Sequence, residues 1–352
     1  MLKLSLAIAV SLTALSSTAS AESLTVVSWG GDFAKSQEVA FVAPFREATG
    51  VNVRMDDWSG NIGQIQAMVD ANNVTWDVVV GERSFAIKGC EEGFLEKIDS
   101  SKLPPSPDGR AASEDFLPGT ILDCGIGSEV FAYGISYNNA AFPEKKPQGV
   151  ADFFNLNDFP GRRGMLKRPE STLEFALLAD GVAKEDLYKV LATSDGLERA
   201  FAKLDSIKDQ VVWFDSFAQP PQILNDGEAV MVTGTLSRII QPMLEQQKDW
   251  NVIMNDFLWD VDVWMVVKNS PNKQQAFDFI NFASEPQRIA VISTRAAYDV
   301  SRASASQFVD SKMKPYLFTN PDTITKGVQV DPQFWADNMD RIKERFNNWL
   351  VR

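Results

Sequence analysis

The chain has 352 residues, 45% of them hydrophobic, with 34 basic and 47 acidic side chains and a formal net charge of −13. That charge repels nucleic acid and anionic membrane and mildly favours cations. There is no histidine, which removes Ser-His-Asp and Cys-His catalysis, imidazole base chemistry and most zinc sites. P-loop, G-x-S-x-G and G-x-G-x-x-G motifs are absent, so neither a metal nor a cofactor is expected.

In chain order, residues 1–21 combine Lys3, a short apolar run and Ala19-Ser20-Ala21, the pattern of a secretory signal peptide. The run is shorter than a membrane span, and no Cys follows the cleavage site to carry a lipid. The remainder is long enough for two domains and is expected outside the cytoplasm. Leu24 to Trp29 reads as a strand, Gly30-Gly31-Asp32 as a turn, and the stretch to Ala48 as a helix closed by Gly50. Val51–Met55, Ile62–Val69 and Asp77–Val80 continue as strand, helix and buried strand. This βαβαβ order implies a parallel sheet with helices on its faces. Trp29 falls at the carboxyl end of the first strand, where open α/β sheets bind ligands; a core tryptophan beside a tight turn is the alternative.

Cys90 and Cys124 are the only cysteines. In an oxidising compartment they are expected to pair, closing a loop worth about 3–4 kcal/mol; a redox pair would stand closer together. Leu103 to Gly109 is a proline-rich surface excursion, and Val130 to Tyr137 a long aromatic strand. A second α/β unit follows, with Thr172–Ala179 as a helix carrying Glu174, Val211–Trp213 and Ala229–Thr233 as strands, and Leu236–Glu245 as a helix carrying Arg238. Asn251–Met254 and Trp259–Val267 are two further strands. In the latter, alternation places Asp260, Asp262 and Trp264 on one face. Carboxylates beside an indole suit a cationic amine; solvated aspartates on a surface strand are the alternative. The rest is mostly helical, ending in a helix that carries Phe334, Met339, Phe346 and Trp349.

Ser28-Trp29-Gly30-Gly31, Gly89-Cys90-Glu91-Glu92-Gly93, Phe159-Pro160-Gly161, Gln219-Pro220-Pro221-Gln222 and Trp259–Trp264 together resemble the extracellular solute-binding proteins of ABC importers, of the spermidine/putrescine-binding type. The resemblance implies a two-lobed, hinged periplasmic-binding-protein fold (type II), α/β in each lobe, with residues 22–134 and 261–352 in one lobe and 135–260 in the other. It implies a monomeric periplasmic receptor, not an enzyme, that passes a small amine such as putrescine to an inner-membrane ABC permease. Carried over from the family, Trp29, Asp262 and Tyr298 would hold the ligand, with Trp259, Glu174, Asp260 and Trp264 as further candidates. Thr233-Gly234-Thr235 departs from the pattern where polyamine binders place a Trp. Arg238 close by would favour a carboxylate, so a zwitterion such as an ω-amino acid or an opine-like conjugate is the alternative; a surface position for Arg238 is equally open. A secreted glycosidase using two carboxylates is the reading from another class.

Overall fold

A computed structural model describes residues 23–352; the expected signal peptide lies outside them. Eleven strands form one sheet: β1 Leu24–Ser28, β2 Val53–Asp57, β3 Val78–Glu82, β4 Ile121–Leu122, β5 Gly125–Asn138, β6 Arg163–Leu166, β7 Val211–Phe214, β8 Met231–Thr235, β9 Trp250–Val266, β10 Asp299–Val300 and β11 Val328–Gln329. The main order is β2-β1-β3-β9-β5-β8-β6-β7. β1 is parallel to β2 and β3, as the βαβαβ pattern predicts, and β6 is parallel to β7 and β8. Between these parallel groups run β5 and β9, antiparallel to each other and long enough to serve both.

One sequence expectation changes here. Asn251–Met254 and Trp259–Val267 are parts of one 17-residue strand. Its pairing with β5 jumps from Ile135↔Ile253 to Tyr133↔Leu258, and the extra residues are absorbed at Asp256, whose φ is +56°. That polar kink makes one strand read as two. The first helix runs from Gly31 to Thr49 and is closed by Gly50, as expected, with a π turn at Glu38–Val42.

The core follows the apolar pattern. Val78, Val79 and Val80 are fully buried, as a central strand covered on both faces requires. The terminal helix Pro332–Leu350 touches both parallel groups. Lys88, on the helix after β3, pairs with Asp340 at 3.0 Å. Trp335 Nε1 donates to Glu174 at 2.7 Å, and Trp349 Nε1 to Asp205 at 2.8 Å. No helix among the described residues is long and apolar enough to cross a membrane.

Cys90 and Cys124 are bonded, with Cα atoms 5.6 Å apart. The bridge ties the Arg83–Glu91 helix to the turn that opens β5. Reduction is expected to lower stability by about 3–4 kcal/mol, seen as a fall in Tm by calorimetry with and without reductant. An unchanged Tm in the fully reduced protein would show that the loop adds nothing.

Candidate functional site

Three buried carboxylates stand side by side across the sheet. Glu82 ends β3 and pairs directly with Asp262 of β9. On the other side of β9 the β5 register skips from Gly127↔Val263 to Val130↔Val261. Ser128 and Glu129 therefore form a bulge opposite Asp262, which re-aims side chains. All three acids are at least 95% buried.

Their partners differ. Asp262 Oδ2 accepts from Trp29 Nε1 at 3.1 Å, whereas Oδ1 has no partner among the described residues. Glu129 meets Ser128 with one oxygen, and its carboxyl also lies within hydrogen-bonding reach of Asp262 and Gln37, so a protonated Glu129 can share its proton with Asp262. Glu82 accepts from the Tyr133 hydroxyl at 2.8 Å and pairs with Arg168 at 3.1 Å. Burial pushes Glu129 up to about 8. Burial, and then the neighbouring Glu129 and Glu82, hold Asp262 well above the usual carboxylate range. Protonation is the ordinary response of a buried acid without a counter-ion.

A narrow cavity of about 20 Å³ lies against Asp262. Its walls are aromatic: Trp29 after β1, Phe131 and Tyr133 of β5, Phe217 after β7, and Tyr298 before β10. Trp29 meets Phe217 edge-on at 5.4 Å, and Phe217 stacks on Tyr133 at 5.8 Å. Thr235 and Arg238 complete the lining. Arg238 is 9% exposed, and its Nε has no partner among the described residues. Its other nitrogens reach the carbonyls of Trp29 and Gly30 at 3.5 Å, the outer limit of a hydrogen bond. Gly30 and Gly31 both have positive φ, and a Cβ on Gly31 would come within 3.2 Å of the guanidinium. The glycine pair thus gives Arg238 its place. A larger cleft of about 530 Å³ opens beyond Arg238 and Tyr298.

Of the residues singled out from sequence, Trp29, Arg238, Asp262 and Tyr298 come together around this cavity. The other four do not. Trp259 has the opposite parity to Asp262 on β9 and packs with Val130, Ala132 and Phe257 on the far face. Trp264 shares the face of Asp262 but lies farther along, fully buried between Phe41 and Phe279. Asp260 is taken by Arg83 in a buried ion pair. Glu174 accepts from Trp335 and from Tyr188, and so anchors the terminal helix. Sequence reading missed Phe131, Tyr133 and Phe217 as wall residues, and Glu82 and Glu129 as charges. Glu82, like Trp29, ends a parallel strand, which was a usable signal; Glu129 sits in a bulge that no local pattern announces.

Comparison with known proteins places the chain in a family. A family model described as bacterial extracellular solute-binding protein matches residues 40–319. A gamma-aminobutyric acid-binding protein of Pseudomonas aeruginosa is 39% identical over 339 residues, covering 96% of this chain and 94% of that protein. A putrescine-binding periplasmic protein of the same species is 24% identical, over 81% of this chain and 83% of its own. A solved GABA receptor structure superposes with a TM-score of 0.82 at 30% identity, over 94% of this chain and 98% of that one.

The buried acids set a pH dependence. Glu129 and Glu174 both titrate near 8 in the folded protein, against 4.5 for an ordinary glutamate. Between those values the folded state holds the extra protons, so stability falls as pH rises. The ligand-free protein should lose several degrees of Tm from pH 5 to pH 8, and Glu129→Gln should reduce that loss. A Tm that rises over this window would contradict the assignment.

Proposed function

We propose that this chain, which belongs to the bacterial extracellular solute-binding proteins, is the receptor for a compact ω-amino acid of the 4-aminobutyrate type. The protein is a periplasmic binding protein of the ABC type and not an enzyme. One observation carries the ligand reading: a buried acid, Asp262, and a buried guanidinium, Arg238, neither with a counter-ion among the described residues, line the same small aromatic cavity. A zwitterion answers both charges, and its short alkyl chain lies against the rings. A diamine would leave Arg238 without an anion and set a second ammonium near it, which is costly in a buried site. The amino-acid relative at 39% identity, against 24% for the putrescine relative, supports the same choice. Polyamine binding, the expectation from sequence resemblance, is thereby the weaker reading.

In this reading the Trp29 indole and Asp262 take the ammonium, and Glu129 behind them gives up its proton to complete the charge. Arg238 takes the carboxylate as a bidentate fork. The half of the sheet carrying Arg238 and Phe217 closes on the half carrying Trp29 by hinge motion, with β5 and β9 as the shared segments, and the closed form hands its ligand to an ABC permease.

Titration calorimetry tests this. The wild type should bind 4-aminobutyrate more tightly than 1,4-diaminobutane. Asp262→Asn and Arg238→Met should each cost about 2–5 kcal/mol, roughly 30-fold or more in Kd. Preference for the diamine, or full affinity in Arg238→Met, would sink the zwitterion. Because burial pushes Glu129 up to about 8 and holds Asp262 well above the usual carboxylate range in the empty site, binding at pH 7 should release a proton from this pair and strengthen from pH 6 to 8. Titrations in buffers of different ionisation enthalpy read that release directly.

A further inference from the structure

We infer that Arg168 is a specificity-determining residue: a cation of the chain itself that fills the second anionic position of the carboxylate row and so excludes diamines. The inference rests on the ligand reading above for its comparison ligand. The row Glu82–Asp262–Glu129 spans three neighbouring strands, about 10 Å of backbone at the usual strand spacing. A row that wide has room for two ammonium groups. Of the three acids only Asp262 lines the cavity, and Glu129 is fully buried beside it. At the Glu82 end Arg168, just beyond β6, lies 3.1 Å from Glu82 and 2.7 Å from Glu170. Its guanidinium also sits 5.5 Å over the ring of Phe217, a cavity wall.

Arg168 is well held. Burial alone would lower its pKa, but Glu170 and Glu82 outweigh it and keep the guanidinium charged. Glu170, despite its own burial, is held below the ordinary carboxylate range by the same guanidinium. A diamine would have to displace a tethered cation, whose effective concentration far exceeds that of any dissolved competitor. A cleft of about 290 Å³ lies behind Arg168, lined by Lys167 and Lys343 and also by Glu170 and Asp215. What closes the Glu82 end of the row is the Arg168 guanidinium itself.

The test compares Kd values for 4-aminobutyrate and 1,4-diaminobutane by calorimetry in wild type, R168Q and R168K, each checked for folding by its thermal melt. In R168Q the ratio of diamine Kd to 4-aminobutyrate Kd should fall at least about tenfold. R168K keeps the cation and should keep the wild-type preference. Should R168Q not fold, R168Q/E170Q removes one of the two orphaned carboxylates, keeps Glu82 as the group a second ammonium would pair with, and carries the same expectation. A folded glutamine variant whose ratio stays at the wild-type value overturns the inference, as does an equal gain in R168K. If wild type does not bind 4-aminobutyrate, the ligand reading falls, and the diamine Kd of R168Q against wild type still judges Arg168.

Discussion

The rest of the structure is arranged around a row of acids buried at the centre of a β-sheet. An ionised carboxylate in a protein interior is among the costliest groups a fold can hold, and burial pushes all three carboxyls of this row toward their protonated form. Each is accommodated differently. Glu82 has a guanidinium and a tyrosine hydroxyl. Asp262 has one indole N–H for two oxygens. Glu129 has a serine and a raised pKa. Asp260, one residue pair along, is matched fully by Arg83. The shortfall is therefore local to the cavity, and in the proposed reading a bound ammonium makes it good.

How much of this could be read beforehand depended on whether the controlling contact was local. The parallel strands and their helices follow from periodicity, and Trp29 from its place at a strand end. Asp262 came from strand alternation and again from family resemblance, Tyr298 from family resemblance alone, and Arg238 from a departure in the family pattern next to it. Failures arose where a partner far along the chain decided. Asp260 pairs with Arg83, 177 residues away, and Glu174 with Trp335, 161 away. Nothing near either acid betrays those partners. Trp259 failed for a simpler reason: a strand alternates, and an odd position cannot share a wall with Asp262. Glu129 was hidden by a bulge, which shifts parity without leaving a clear mark in composition.

The two long strands explain why the site and the moving part coincide. β5 and β9 carry Phe131, Tyr133 and Asp262 and also link the parallel groups on either side. Contacts from the β6–β8 side, Arg168 to Glu82 and Arg238 to the carbonyls of Trp29 and Gly30, cross this spine. The terminal helix crosses too, fastened by Lys88 on one side and by Glu174 and Asp205 on the other. A rearrangement of the two groups must pivot beneath that helix, which limits the directions it can take.

The carboxylate row has one more consequence, for how such a receptor changes over generations. Its members lie at positions 82, 129 and 262, adjacent in space and remote in sequence. Each occupies its own strand and has its own supporting neighbours, so a substitution at one leaves the backbone setting of the others in place. Charge at the site is thus modular. Selection can add, remove or neutralise one element at a time, and a lineage can shift its clientele among amines and amino acids on an unaltered scaffold.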